Sequence, residues 1–342
     1  MLKIRQIFIS LSGGVAFALS SSSHLPVTAE EARSVDDLDI IEINLEDVVQ
    51  FNWGVQAELQ GAGTPNQAGV GLFIPISKSN SNVFFLDSLI NANFSDYNIY
   101  GNSYLDSSIN DTKVAGTTFS TSTRLGTRWL SHDQSWMFGV NAGYDSRTMA
   151  TGVTINNVEI NNPKTAYFSQ VGVNIEAVNK KTNTNVYALI PIGRFGYKSR
   201  KVAPINRAYG ASPLATLGID MGYMITPSVN IEAGYYYQTN EKDLPDYPSS
   251  VGNSGVRAEL IYKFSNAISS GIVYSYDNSF KSRISANLKL RFNASGATQK
   301  DQGISKNNIL DTLSQTPANR TIRVNCSEKA TSFNLDADQC GD

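Results

Sequence analysis

The sequence has few of the residues on which most catalytic and metal sites depend. Its 342 residues include 2 histidines and 2 cysteines. His24 lies in the N-terminal segment and His132 in a short polar stretch, so no histidine is placed for a catalytic triad or a multi-histidine metal site. We therefore expect a non-catalytic protein that holds no metal and no cofactor.

An excess of charge of one sign is also missing. The formal net charge is -2, and no basic stripe stands apart from balancing acids. A nucleic-acid partner is therefore not expected. The glycine pairs at 61–63 and 69–71 do not open a helix after a parallel strand, as a dinucleotide site requires.

Long apolar runs are absent beyond the N-terminus. Lys3 and Arg5 precede an apolar run at 7–20, and small residues follow it, which is typical of an export signal. We predict a signal peptide over 1–29 and an acidic periplasmic lead-in over 30–51, for which a solvated linker, a short helix and an edge segment stay open. No later stretch of about 18 apolar residues predicts a transmembrane helix. Export then leaves a secreted protein, a periplasmic protein or an outer-membrane barrel.

A strand-turn-strand pattern stands out at 121–145. On each arm, apolar or threonine side chains alternate with polar, charged or glycine residues, which is the two-residue period of a strand. Only the polar residues 131–134 separate the arms, and this length suits a tight hairpin. The apolar face would meet a second sheet in a soluble sandwich, but lipid in a membrane barrel.

The same pattern recurs along most of the chain and predicts twelve strands. They begin near residues 52, 69, 82, 117, 135, 166, 185, 214, 229, 254, 268 and 283. Long connections alternate with short ones, as in antiparallel outer-membrane barrels, whereas a Greek-key sandwich would not keep that rhythm. We therefore predict an all-β, transmembrane antiparallel β-barrel over 52–292.

The late strands favour a membrane over a dry core. The strand near residue 283 carries Arg283, Lys289 and Arg291 on one face and only apolar residues on the other. Unpaired charges are costly in a dry core, and a continuous apolar face is prone to aggregate in water. A lipid-facing exterior around a wet lumen meets both constraints.

With these strands placed, the chain resembles the β-domain of the inverse autotransporters, the intimin and invasin family. GLFIPISKSNSNVFFLDSLINANFSD (71–96) and RLGTRWLSHDQSWMFGVNAGYDSR (124–147) carry the resemblance, and FSQVGVNIEA and IYKFSNAISSGIVYSYD are similar to later strands. The resemblance implies a twelve-stranded barrel in the outer membrane of a Gram-negative-type bacterium. It also implies outer-membrane lipid and the barrel-assembly machinery as partners, whereas the family's adhesin activity does not carry over and any surface ligand is unknown. The family's long passenger of immunoglobulin-like domains is not matched, because the tail over 293–342 is too short for one.

Charged residues on the wet face define the candidate site. We expect the following side chains in the lumen: Glu58, Arg124, Arg128, Asp145, Glu176, Asp220, Glu232, Arg257, Glu259, Lys263, Arg283, Lys289 and Arg291. They could form a selective pore or a structural ion-pair network. In the polar tail, Cys326 and Cys340 are expected to form a disulfide, as exported cysteines commonly do.

Two mechanisms stay open at this point. In the first, the barrel is a translocator and its tail re-enters the pore as a vestigial or minimal passenger. In the second, the tail stays in the periplasm, and the barrel is a porin-like channel or a structural outer-membrane protein. A secreted all-β binding protein is a third possibility.

Overall fold

The computed structural model of the chain describes residues 44–59, 64–94, 117–150, 154–155, 158–159, 165–193, 203–204, 209–239, 252–278, 280–293 and 308–328. The predicted signal peptide and most of the lead-in lie outside the described residues. Cys340 lies outside them too, so the expected disulfide with Cys326 stays a prediction.

The described residues form seventeen strands and two short helices. The helices are α1 (Leu45–Val48) and α2 (Asn308–Leu313). In chain order the strands are β1 (Asn52–Glu58), β2 (Gln67–Lys78), β3 (Asn82–Asn93), β4 (Thr118–Leu130), β5 (Trp136–Ala150), β6 (Thr154–Ile155), β7 (Val158–Glu159), β8 (Thr165–Asn179), β9 (Thr182–Ile192), β10 (Ala203–Pro204), β11 (Tyr209–Pro213), β12 (Ala215–Thr226), β13 (Val229–Thr239), β14 (Gly252–Lys263), β15 (Ile268–Asp277), β16 (Lys281–Phe292) and β17 (Val324–Glu328). Neither helix is long and apolar enough to cross a membrane.

Twelve of these strands form a closed antiparallel barrel. Each pairs with the next barrel strand along the chain, and β1 closes the barrel against β16, with Trp53 opposite Phe292. The prediction of an all-β, twelve-stranded barrel is confirmed, and every predicted strand start lies within three residues of the observed one. β6 pairs with β7, and β10, β11 and β17 form a separate three-stranded sheet.

The two rims of the barrel differ in the length of their connections. Turns at 79–81, 131–135, 180–181, 227–228 and 264–267 lie on one rim, which we call the turn rim. The opposite rim carries the longer connections at 59–66, 94–117, 151–164, 193–214 and 240–251, together with the short one at 278–280, and we call it the loop rim. β1 begins and β16 ends at the turn rim, so both ends of the barrel sequence lie there.

The outer surface of the barrel is apolar. Outward side chains such as Leu125, Val140 and Ile284 are exposed, while their inward neighbours along the strand are buried. Trp129 and Trp136 both point outward next to the turn at 131–135, with ring centroids 6.1 and 6.2 Å from that of Phe138. An apolar wall with aromatic side chains near a rim is the pattern of lipid-facing barrels.

An apolar cluster fills one end of the lumen. Leu45 and Val49 from the lead-in pack with Ile309 and Leu313 from α2. They meet inward apolar side chains of the barrel close to the turn rim: Phe73, Val83, Phe85, Leu130, Met137 and Val178. β3 carries apolar residues on both of its faces. Its inward Val83 and Phe85 are apolar because they contact this apolar cluster.

The lead-in is correspondingly not a solvated linker over its described part. α1 is capped by Asn44, whose side chain accepts a hydrogen bond from the Glu46 amide at 3.0 Å. The Lys78 ammonium donates to the carbonyl oxygens of Glu46 and Val49, at 2.6 and 3.1 Å. Only one turn of the lead-in is helical, and its two apolar contacts, Leu45 and Val49, hold it in place. One turn is too short to produce a helical period in the sequence.

Candidate functional site

The lumen of the barrel is organised by buried ion pairs. Arg124 on β4 and Asp145 on β5 are diagonal neighbours on adjacent strands, with Nη2 and Oδ2 at 2.6 Å and both side chains buried. Ser122 and Gln170 also donate hydrogen bonds to the Asp145 carboxylate. A Cβ at position 172 would lie 2.3 Å from Nη2 of Arg124, so Gly172 leaves the room that this guanidinium occupies. These contacts join β4, β5 and β8 inside the barrel wall.

A second ion pair includes Arg128, which also bonds the C-terminal segment 308–328. We call this segment the tail segment. Arg128 bonds Glu176 through Nε and Oε2 at 2.9 Å. Its Nη1 donates to the carbonyl oxygens of Leu313 and Gln315, at 3.0 and 2.8 Å. Asn52 at the start of β1 donates to the carbonyl oxygen of Ser314 at 3.1 Å. The end of α2 is therefore held at the turn rim.

Above this point the tail segment contacts opposite walls of the lumen. Asn319 Nδ2 donates to Oδ2 of Asp220 at 2.7 Å, and Arg257 pairs with the same carboxylate at 2.6 Å. Arg320 forms an ion pair with Asp87 of β3, and its Nε donates to the Ser122 hydroxyl at 2.8 Å. The Arg320 contacts are buried, and the Asn319 contact is partly buried inside the barrel.

The tail segment then reaches the loop rim. Arg147 Nη1 donates to the carbonyl oxygen of Ile322 at 2.9 Å, and the Leu214 amide donates to that of Arg323 at 2.9 Å. The Arg323 guanidinium lies 4.4 Å from the ring centroid of Tyr236. β17 pairs antiparallel with β11 in the connection between β9 and β12. The tail segment thus runs through the lumen from one rim to the other.

The tail segment leaves part of the lumen open. A cavity of about 410 Å³ remains, mainly against β1, β9 and β12–β16. Ten of the thirteen lumen charges expected from the sequence line this cavity. The other three, Arg124, Asp145 and Arg283, lie buried at inward positions of their strands, and Arg283 donates to the carbonyl oxygen of Phe280 at 3.1 Å.

Several residues of the site are not among those expected from the sequence. Asp87 lies in the apolar strand VFFLDSL, and Arg147 at the end of the hairpin pattern. Arg320 and Arg323 belong to the tail, where NRTIRVN offers a short alternation of Arg320, Ile322 and Val324 as the only signal of an extended segment. Within the described residues, no group of three or more His, Cys, Asp or Glu side chains could hold a metal ion.

Comparison with known proteins identifies the fold but no family. No protein-family model and no curated protein matches the chain. A solved structure described as "Unveiling the Mechanism Behind the in-meso Crystallization of Membrane Proteins" has a TM-score of 0.52 and 11% identity, and the match covers 81% of this chain and 100% of that chain.

Other barrels match less well. An outer membrane channel from Pseudomonas putida F1 has a TM-score of 0.44 and 10% identity, over 75% of this chain and 99% of that chain. The KdgM porin has a TM-score of 0.36 and 10% identity, over 70% of this chain and 99% of that one. The first of these matches shows a shared fold and no more, and this chain has the fold of a twelve-stranded, antiparallel membrane β-barrel.

Proposed function

We propose that this chain is a non-catalytic outer-membrane barrel that leads its own C-terminal segment through the lumen to the cell surface. This is a minimal form of the arrangement that the resemblance to the inverse autotransporters implies. The observation that supports it most is the course of the tail segment, from Ser314 beside Asn52 at the turn rim to β17 beside β11 at the loop rim.

The proposed orientation places the turn rim in the periplasm and the loop rim outside the cell. Short periplasmic turns and longer outer loops are the rule for bacterial barrels. The predicted signal peptide, the outer membrane of a Gram-negative-type bacterium, insertion by the barrel-assembly machinery and contact with outer-membrane lipid belong to the same proposal. The pairing of β17 with a loop-rim strand supports an outward-facing end of the tail segment.

Surface labelling of intact cells tests this function. An epitope placed after residue 342 should bind antibody on intact cells, whereas the same epitope placed at 43, before α1, should bind only after the outer membrane is opened. Both epitope-tagged chains should migrate differently on gels before and after heating, as folded barrels do. An epitope after residue 342 that stays protected on intact cells contradicts the proposal.

A porin-like channel is the second candidate, and one observation favours it. The cavity of about 410 Å³ beside the tail segment is lined by many polar and charged side chains together with apolar ones. Water-filled lumens of this kind carry solutes in porin barrels. Such a channel is compatible with a tail segment in the lumen, provided that the open part of the lumen connects both rims.

Planar-bilayer recordings separate the two candidates. A channel beside the tail segment predicts steady conductance of the full chain. A plugged translocator predicts little conductance until residues 308–328 are deleted. If the deletion leaves the conductance unchanged, the tail segment does not obstruct the lumen.

A further inference from the structure

The cavity beside the tail segment contains two carboxylates that face each other. Glu232 on β13 and Glu259 on β14 are direct register partners, and both point into the lumen. Like charges at directly opposed positions destabilise a sheet. In the described part of the chain, neither carboxylate forms an ion pair, and the nearby Arg257 is bonded to Asp220 through Nε at 2.8 Å and Nη2 at 2.6 Å. Around this point the carboxylates of Asp220, Glu232 and Glu259 face the single guanidinium of Arg257, so the charge is negative locally, although cationic side chains such as Lys263, Lys289 and Arg291 line other parts of the cavity.

Only neutral amides reach these carboxylates. Oε1 of Glu232 accepts hydrogen bonds from the side-chain amides of Asn183 and Asn230, at 3.0 and 3.3 Å. Oε1 of Glu259 accepts one from Asn287 at 3.0 Å. The amides position the carboxylates without neutralising them, because they carry no charge.

The same wall carries buried oxygen atoms that have no hydrogen-bond partner. Asn230 is only 9% exposed and Tyr187 only 2% exposed, and both line the cavity. Oδ1 of Asn183, Oδ1 of Asn230 and the Tyr187 hydroxyl are buried without a partner among the described residues. Buried polar groups are normally hydrogen-bonded, so such oxygens point to a missing donor. Beside Glu232 and Glu259 the wall thus offers negative charge and free acceptor oxygens, which a cation with N–H or O–H donors would complement.

A protonated amine supplies both. An ammonium group carries one positive charge and three hydrogen-bond donors. A metal ion is matched less well, because the described residues contain no group of three or more His, Cys, Asp or Glu side chains that could hold one. We propose that this cavity binds a small solute that carries a primary ammonium group, placed between Glu232 and Glu259. The cavity volume of about 410 Å³ is within the range of small-molecule sites.

This inference rests on the proposed function only in requiring that the lumen beside the tail segment be open to solvent. It does not depend on where the tail segment ends. Binding can therefore be measured on the full chain, refolded in uncharged detergent micelles, with 1,4-diaminobutane as the probe and isothermal titration calorimetry as the readout. Failure of the surface-labelling experiment would leave this measurement unaffected, and the reverse also holds.

Saturable binding of one diamine per chain is expected. Glu232→Gln and Glu259→Gln should each weaken it about tenfold or more, because each removes a charged hydrogen-bond acceptor. Glu46→Gln makes the same chemical change on the exposed side of α1 and should leave binding unchanged. Absence of saturable binding to the native chain, or equal binding by all three variants, overturns the proposal.

A comparison of ligands tests the chemistry without any variant. The quaternary analogue of the diamine, in which each nitrogen carries three methyl groups, keeps both charges but has no N–H donor. It should therefore bind about tenfold more weakly or worse. Potassium and magnesium ions at matched ionic strength should displace the diamine only through general screening. If the methylated analogue or either ion competes as well as the diamine itself, the cavity attracts cations of any kind, and recognition of an ammonium group is ruled out.

Discussion

Arg320 of the tail segment and Asp87 of β3 form a buried ion pair between residues that lie 233 positions apart in the chain. Asp87 is fully buried in the barrel wall. A carboxylate at that depth needs a partner, since an uncompensated buried charge is strongly destabilising. The barrel wall therefore contains a group whose partner comes from outside the barrel strands, which ties the barrel and the tail segment into one folded unit.

Removing the arginine should destabilise the barrel as well as the tail segment. Arg320→Met leaves Asp87 without its cationic partner, and we expect a loss of about 3 to 5 kcal/mol in the free energy of unfolding. The double variant Asp87→Leu/Arg320→Met should recover much of that loss. Urea unfolding of the refolded chain measures both. If the double variant is no more stable than Arg320→Met, the uncompensated charge of Asp87 is not the cause of the loss.

The outward face of the central hairpin should reject charge. Leu125 and Val140 are 49% and 38% exposed on the apolar exterior of β4 and β5. Leu125→Arg or Val140→Arg should cost about 2 to 4 kcal/mol near the middle of a membrane and impair assembly. Trp129→Arg, close to the turn rim, should cost less, about 1 kcal/mol or below. The fraction of heat-modifiable chain in membranes reports the outcome, and normal assembly of both mid-strand variants would contradict a lipid-facing wall.

The contact between α1 and α2 should hold the tail segment in place. Leu45 is fully buried against the cluster that contains Ile309 and Leu313. Leu45→Ala should lower the free energy of unfolding by about 2 to 5 kcal/mol. It should also speed proteolytic cleavage within 308–328. Asp47→Ala changes an exposed residue of the same helix and should do neither, so equal cleavage rates for the two variants would show that α1 does not retain α2.

The turn at 131–135 should show a pH effect at strongly acidic pH. Hydrogen bonds from Ser131 and Ser135 lower the pKa of Asp133 to about 2, from an ordinary value of 3.8. Because the folded pKa lies below the unfolded one, the stabilisation is complete above pH 3.8 and is lost as the pH falls toward 2. The stability difference between the native chain and Asp133→Asn should therefore shrink over that range in urea unfolding. A constant difference would mean that the carboxylate does not titrate there.

The barrel could be predicted from the sequence because its wall repeats one simple rule. Alternation of side chains fixes which face is wet, and the rhythm of short and long connections indicates closure. On β14, for example, the charged Arg257 and Glu259 face the lumen, whereas the apolar Leu260 and Tyr262 face outward. Such local signals reach only a few residues along the chain, yet they suffice for strand positions and facing.

The tail segment could not be placed in the same way. Its contacts depend on backbone carbonyl oxygens, such as those of Leu313, Gln315 and Ile322, which every residue type supplies. Asp87 and Arg320 likewise give no local sign that they meet. The apolar residues of α1 are too few to show a helical period, so their partner surface becomes visible only when β3 and α2 are seen together.

The pairing of Trp53 with Phe292 also sets the order of events during assembly. These residues close the barrel although they are 239 positions apart, so the ring stays incomplete until the last barrel strand has been delivered. Contacts of such long sequence separation form slowly, because the loop-closure entropy must be overcome first. The tail segment follows that strand in the chain and lies inside the ring, so its bonds to Asp87 on β3 and Asp220 on β12 can exist together only once the barrel strands surround it.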